Sequence, residues 1–352
     1  MSMQVPTLEE VALAAGVSRS TASRAINGGS RVSAEAQAAV DDAVARLGFV
    51  PNRAARSLVT RRTNSVALVV PEPDERFLND PFFAATLRGM NSVLKNSDLQ
   101  LVLLIAKLDE SAGRIAQYLR NGHVDGAIVV SHHRKDGLEG AIEASRLPAV
   151  FVGRPFHPFP GLRCVDVDNV GGGKIATEHL VARGCRRIAH IAGPGDMTAG
   201  EDRLEGFHAA LREAGLEPGP VVRGDFTIAT GASAMDQILA EDPTIDAVFA
   251  ASDLMASGAL QSLAAHGRRV PEDVAVIGYD DLGVADDTVP ALTTVANPVV
   301  RMARLATEEL LVTLGAISAE DLADPSDTEL PPVVDPTGRS VLAPVLVLRA
   351  SS

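Results

Sequence analysis

The sequence predicts a small all-α helix-turn-helix head followed by a two-lobed, doubly wound α/β body. Three observations carry this expectation. Two short, capped amphipathic helices, joined by a turn of only a few residues, open the chain. From Ser65 onward, apolar runs of strand length alternate with helical stretches of roughly 10–15 residues, the pattern of parallel sheets covered by helices on both faces. This alternation continues for about 290 residues, too many for one such sheet, so two lobes are expected.

In the head, Thr7 and Glu10 have the T-x-x-E spacing of a capping box, in which each residue satisfies a free N–H of the first turn. Leu8, Val11, Ala12 and Ala15 form the apolar stripe of this first helix, and Gly16 suits the left-handed residue that ends it. Ser18 caps a second helix over about 19–27. A third starts at Ser33, buries Val40, Val44 and Leu47, and stops at Gly48.

The second helix has two faces. With about 100° between residues, Arg19, Ser20, Ser23, Arg24 and Asn27 share an arc of about 140°. Ala22, Ala25 and Ile26 lie opposite, toward the first helix. The outer face is short, polar and cationic, as a major-groove reader must be. Arginine matches the O6/N7 edge of guanine, while hydroxyls such as those of Thr7, Ser18, Thr21 and Ser23, together with Asn27, suit phosphate oxygens. A second DNA signal follows at 51–62, where Arg53, Arg56, Arg61 and Arg62 occur with no acid. There Leu58 is an apolar side chain without an obvious core, fit to wedge between base steps in a minor groove; packing on the next domain is the alternative. The expected organisation is a DNA-binding domain over 1–50, a hinge and linker over 51–62, and a ligand-sensing body over 63–352.

In the body, strands are expected at 66–70, 99–105, 126–130, 149–152, 187–192, 246–250 and 273–278, with a last strand at 341–348. The stretch 316–339, rich in Asp, Pro and Ser, reads as an exposed loop. Ligands in such folds sit at the carboxyl ends of strands.

Composition narrows the function. The 352 residues are 46% hydrophobic and 22% charged, as in a soluble globular protein. The net charge of −13 alone argues against nucleic acid. Residues 1–62, however, hold eight arginines against five acids, so a head of +3 is joined to a body of −16. No membrane-length apolar stretch and no apolar signal core appear, so a cytoplasmic, nucleoid-associated protein is expected. Cys164 and Cys185 lack metal-ligand spacing and read as free thiols. Gly171-Gly172-Gly173-Lys174 fails as a phosphate loop, because Ile175 stands where Ser or Thr would meet magnesium. No hydrolase or metalloprotease motif appears, and neither an enzyme nor a cofactor is expected.

The runs Glu10-Val11-Ala12, Ala15-Gly16-Val17-Ser18, Thr21-Ala22-Ser23-Arg24-Ala25-Ile26-Asn27 and Pro51-Asn52-Arg53-Ala54-Ala55-Arg56-Ser57-Leu58 resemble the lactose/galactose repressor (LacI/GalR) family of transcriptional regulators. The likeness continues through Asn79-Asp80-Pro81-Phe82-Phe83, Gly153-Arg154-Pro155, Ala251-Ser252-Asp253 and Val270-Pro271-Glu272-Asp273-Val274 to the C-terminus. It implies that Arg19, Ser20 and Arg24 face bases, that Asn52 and Arg56 belong to the DNA-binding hinge, and that Leu58 intercalates. Ala22 stands where the family usually has valine. The resemblance further implies a homodimer on a palindromic operator and a periplasmic-binding-protein-like body. Its lobes would be linked by crossings near 163, 292 and 325, giving a first lobe of 63–163 and 293–325 and a second of 164–292 and 326–352.

Arg203 and Asp280 fall just after strands, at the edge where a cleft would open, and an arginine fork with a carboxylate can hold vicinal hydroxyls. A surface salt bridge is the alternative. Ser131, His132 and His133 end the 126–130 strand at the same edge, Phe82, Phe83 and Tyr279 are candidates for an apolar wall, and Arg154, Ser252, Asp253 and Asn297 complete the candidate effector set. Ser252 stands where the family often has asparagine, and Asn297 where it often has glutamine. Leu58-Val59-Thr60-Arg61-Arg62-Thr63, Gly193-Pro194 with Asp196-Met197, and Gly224-Asp225-Phe226 resemble actinobacterial regulators that respond to cello-oligosaccharides. The expected function is a repressor that a sugar releases from DNA. A co-repressor-type regulator with a purine ligand, or a solute-binding protein, would share parts of this pattern.

Overall fold

The computed structural model describes residues 6–27, 32–50, 62–105, 112–318 and 331–352. The chain divides into two units, Met1–Thr63 and Asn64–Ser352.

The first unit is built from α1 (Leu8–Ala14), α2 (Arg19–Ile26) and α3 (Ala34–Leu47). Its caps are those read from sequence. Thr7 and Glu10 form a reciprocal capping box, Ser18 accepts from the Thr21 N–H, Ser33 from the Ala36 N–H, and Gly48 closes α3 at φ +64°. Val11, Ala12, Ala22, Ala25, Val40 and Ala43 form the buried core.

The second unit begins with β1 (Ser65–Val70), α4 (Asp74–Asn79), α5 (Pro81–Leu94), β2 (Gln100–Ile105), α6 (Ala112–Arg120), β3 (Gly126–Val130), α7 (Leu138–Ser145), β4 (Ala149–Val152) and β5 (Arg163–Val167). It continues with α8 (Asn169–Ala182), β6 (Ile188–Ala192), α9 (Thr198–Glu213), β7 (Val221–Arg223), α10 (Ile228–Glu241), β8 (Ala247–Ala250) and α11 (Asp253–Ala265). It ends with β9 (Ala275–Asp280), α12 (Val284–Asp287), β10 (Thr293–Ala296), α13 (Val299–Thr313), β11 (Val333–Val334), β12 (Ser340–Leu342) and β13 (Val345–Val347).

These strands make two sheets, ordered β11-β12-β5-β4-β3-β1-β2 and β13-β10-β9-β8-β6-β7. Both are parallel except at one edge, where β11 runs against β12 and β13 against β10. Central strands such as β3 and β8 are buried on both faces, so they carry unbroken apolar runs instead of alternation.

Among the described residues the chain changes sheet three times, each time later than expected. β5 pairs with β4 in the first sheet, so the first crossing falls between Val167 and Asn169, not near 163. β10 pairs with β9, which moves the second from near 292 to between Ala296 and Val299. The last strand is not continuous. Ala343-Pro344 interrupts it, leaving β12 in the first sheet and β13 in the second, so the third crossing lies there and not near 325. Proline has no N–H for a ladder and favours such a break. The first lobe therefore comprises 64–167 and 299–342, and the second 169–296 and 345–352. The stretch expected to be loop before the last strand contains β11, which pairs with β12, and Val333 and Val334 are exposed.

Helices of the second lobe meet through glycine. A Cβ on Gly206 of α9 would lie 2.1 Å from the Val170 carbonyl oxygen of α8, and one on Gly173 of α8 would lie 2.3 Å from the Arg203 carbonyl oxygen. The glycine run that imitates a phosphate loop thus serves close helix approach, and Lys174 turns outward to Glu213. Gly206→Ala is expected to lower stability by about 1–3 kcal/mol, the cost of forcing a methyl group into a filled contact. Urea denaturation followed by circular dichroism checks this; an unchanged midpoint would contradict it.

Candidate functional site: a nucleic-acid interface and a buried polar cleft

In the head, the caps that start α2 also aim it. Ser18 Oγ accepts from Thr21 N at 3.1 Å and lies 2.9 Å from both Ser20 Oγ and Thr21 Oγ1. Ala22 and Ala25 are buried, which turns Arg19, Ser20, Ser23, Arg24 and Asn27 outward. Arg24 Nε donates to the Ser20 carbonyl at 3.1 Å, and Asn27 Nδ2 to the Ser23 carbonyl at 2.7 Å. Arg19 pairs at 2.7 Å with Glu9 of α1, an exposed contact that can exchange for another anion. Thr7 is engaged in its capping box. Asn52, Arg56 and Leu58 lie outside the described residues.

In the body, the carboxyl ends of both sheets face one cleft. An inner chamber of about 90 Å³ leads to a vestibule of about 650 Å³, with Arg76, Asp80, Phe226 and Leu254 lining both. Arg203 dominates the inner chamber. It enters from the first turns of α9, is 4% exposed, and donates from Nε to Asn169 Oδ1 at 2.9 Å and from Nη1 to the Ala251 carbonyl at 2.6 Å. Its guanidinium lies 3.6 Å over the Tyr279 ring. Asp280 stands 3.6 Å from Nη2 and accepts from Asn297 Nδ2 at 3.1 Å. Burial pushes the Asp280 carboxyl up to about 6, with Arg203 opposing that rise. Asp280 also has φ +121°, a conformation that L-residues rarely adopt.

Several candidates reach the chamber wall: Phe82, Ser131, His132, Arg203, Ser252, Asp280 and Asn297. Ser131 Oγ donates to Glu72 at 2.6 Å, and Ser252 Oγ is committed to capping α11 through Met255 N. His132 Nε2 donates to the Gly153 carbonyl at 3.1 Å, and burial holds the ring below its usual pKa, so it is neutral with Nδ1 as acceptor. That Nδ1 and Asn297 Oδ1 are buried without a protein partner.

Four candidates lie elsewhere. Phe83 points into the first-lobe core, edge-on to Phe82 at 5.4 Å, because successive residues of α5 point about 100° apart. Tyr279 precedes Asp280 on β9 and so faces the opposite side, beneath Arg203. Asp253 accepts from Thr294 Oγ1 at 2.6 Å and Asp281 N at 2.8 Å, which makes it a brace between strands. Arg154 bridges the lobes through Asp202 at 2.5 Å.

Sequence reasoning missed Arg76, Asp80, Asp166, Asn169, Thr198 and Phe226 on the wall. Phe226, in the noted Gly224-Asp225-Phe226 run, has the guanidinium groups of Arg76 and Arg203 over its ring, at 5.3 and 5.8 Å from the centroid. Asp166 was detectable as the one acid inside an apolar strand, two residues before Asp168. Near the mouth, His133 lies 3.0 Å from both Glu72 of its own lobe and Asp196 of the other. Burial disfavours its charge, but these two carboxylates outweigh that and raise its pKa.

The signature described as "Bacterial regulatory proteins, lacI family" matches residues 7–52, and a periplasmic-binding-protein-like domain matches 177–341. The chain is 48% identical to the HTH-type transcriptional regulator CelR of Thermobifida fusca over 85% of its own length and 89% of that protein's. It belongs to the lacI family of bacterial regulatory proteins. The ribose operon repressor of Escherichia coli K12 is 35% identical over 87% of this chain and 92% of its own. A solved CelR–cellobiose complex superposes with TM-score 0.74 at 42% identity, covering 99% and 100% of the two chains. The lac repressor dimer bound to operator and the anti-inducer ONPF gives 0.81 at 25%, covering 99% of each. This lacI-family chain is a DNA-binding transcriptional regulator, with a helical head and a two-sheet α/β body. Among its described residues, no helix is long and apolar enough to cross a membrane.

The Asp280 shift has a stability consequence. A carboxyl raised from 3.8 to about 6 keeps its proton in the folded state where the unfolded chain has lost it, so its contribution weakens as pH rises through that window. The stability of Asp280→Asn relative to wild type is expected to grow between those pH values and level off above about 6. Urea titrations at a series of pH values measure it; a constant or shrinking difference would contradict the burial assigned to Asp280.

Proposed function

We propose that this regulator is a repressor that an uncharged sugar, a cello-oligosaccharide, releases from a palindromic operator. The carrying observation is the set of Arg203 and Asp280 on the second lobe, with Asn297 on the second crossing, facing His132 and Phe82 on the first. The wall combines donors and acceptors with the aromatic side chains of Phe82 and Phe226, the mixture that the hydroxyls and C–H faces of a pyranose require. Asp80, Asp166 and Asp280 on the same wall disfavour phosphorylated ligands. The likeness to CelR, solved with cellobiose, makes cellobiose the first probe.

The DNA side follows from the head. A homodimer, the state of the lac repressor on its operator, would set two α2 helices into successive major grooves. Residues 51–62 would form the hinge, with Asn52 and Arg56 on the backbone and Leu58 in the minor groove. A sugar that binds the two lobe arrangements unequally shifts the population away from the one that holds DNA; equal binding shifts nothing.

Fluorescence polarisation of a labelled operator tests both halves. Arg24→Ala is expected to weaken operator binding by about 1–3 kcal/mol, the value of one bidentate base contact. Unchanged affinity would remove Arg24 from the interface. Cellobiose is expected to lower operator affinity, and Arg203→Ala to abolish that response while the variant still binds operator. Tighter operator binding on adding a purine would establish the co-repressor sign instead, and a cellobiose response unchanged in Arg203→Ala would take Arg203 out of the site.

A further inference from the structure

The Arg203 guanidinium does not stand alone: a chain of side chains leads from it through the crossings to the far edge of the first sheet. Asn169, on the first crossing, accepts from Arg203 Nε with its oxygen and donates from Nδ2 to Asp166 Oδ1 at 3.3 Å. Asp166 lies within β5, is 2% exposed, and accepts on its other oxygen from the Nη1 of Arg339 at 3.0 Å. Arg339, just before β12, is fixed at its other side by Asp335, whose Oδ2 accepts from Nε at 3.0 Å. Asp335 is itself held in a tight turn, accepting from Thr337 N, Thr337 Oγ1 and Arg339 N. The backbone seals the same junction, since Asp168 N donates to the Leu342 carbonyl at 2.9 Å and joins the first crossing to the third.

We propose that Arg339 is a positioning residue for effector recognition: it holds the Asp166 carboxylate, Asp166 orients the Asn169 amide, and Asn169 aims the Arg203 guanidinium into the chamber. This rests on the reading of Arg203 as an effector ligand. The chemistry of each link supports the direction. An amide whose NH₂ is drawn to a carboxylate must turn its oxygen the other way, toward Arg203. A carboxylate this deeply buried stays charged near neutrality only beside a cation, and Arg339 is that cation. Burial lifts the Asp166 carboxyl to about 6, with Arg339 the first force opposing the rise. Arg154, Asp202, Cys164 and Tyr279 also face Asp166 and are left intact by a change at residue 339.

Removing the Arg339 charge takes away the largest force that opposes burial and leaves only the Val167 N–H and the charge of Arg154 against it, so Asp166 ionises at higher pH. Isothermal titration of the full-length protein with cellobiose between pH 5.5 and 9 reads the consequence. Arg339→Gln is expected to bind roughly tenfold or more weakly near pH 7.5, the scale of a lost charged hydrogen bond. Its affinity should recover toward pH 9. Asp166→Asn should lose affinity without that recovery, and the double variant should be no worse than Asp166→Asn. Wild-type affinity in Arg339→Gln, a loss that ignores pH, or additive losses in the double variant would each overturn the relay. Should Arg339→Gln not fold, Asp335→Asn loosens the same guanidinium from its outer end and should shift the pH midpoint in the same direction; no shift would count against the relay.

A ligand-free arm separates the two ideas. The Arg203 Nε–H resonance, assigned by its loss in Arg203→Ala, should move in Arg339→Gln at pH 7.5 and return toward its wild-type position at pH 9. An unmoved resonance overturns the relay whatever the ligand. Arg203→Ala binding cellobiose as wild type does, with that resonance still responding to Arg339, would overturn the effector reading and leave the relay standing.

Discussion

A buried guanidinium organises this molecule. Taking a cation out of water costs several kcal/mol unless its donors are met and its charge is compensated. Arg203 meets two donors with the Asn169 amide and the Ala251 carbonyl, and rests its face on Tyr279. Its carboxylate partner, Asp280, stands at 3.6 Å, an ion pair without a direct hydrogen bond. The compensation is therefore incomplete on the side that faces the chamber. A polar ligand placed there gains a pre-aimed fork and an acceptor whose desolvation has already occurred on folding. The glycines of α8 and α9 belong to the same arrangement, because only their lack of a Cβ lets the backbone of Arg203 approach Gly173 so closely.

The second consequence concerns the lobes. Arg203 and Asp280 belong to one lobe, His132 and Phe82 to the other, and Asn297 lies on the crossing between them, so a ligand touching both sets stabilises one lobe arrangement over the other. The protein already spans the cleft by itself through Arg154–Asp202 and His133–Asp196. A ligand therefore acts on a balance, and its effect on DNA binding is limited by the difference in its affinity for the two arrangements.

Much of this was legible in the sequence. The head was readable because its signals are local: Thr7, Ser18, Ser33 and Gly48 cap helices within a few residues of themselves. Central strands announce themselves by unbroken apolar runs. Arg203 and Asp280 were found because the end of a predicted strand marks the cleft. What failed was direction. Phe82 and Phe83, Ser252 and Asp253, and Tyr279 and Asp280 are neighbours of which one member faces the chamber and the other the interior. The register that decides between them is set by packing partners far along the chain. The crossings were misplaced for a related reason. β5 carries Asp166 in mid-strand and β12 is only three residues long, so neither shows the apolar run that marks a strand, and their pairing depends on each other.

Hydrogen–deuterium exchange of the full-length protein with and without cellobiose addresses the central claim most directly. Backbone amides near Asp280–Asp281 and Ala251–Asp253 in the second lobe should slow together with those near Ser131–His133 in the first, because one ligand contacts both. Protection confined to a single lobe, or none at these edges with the sugar in saturating excess, would contradict the account.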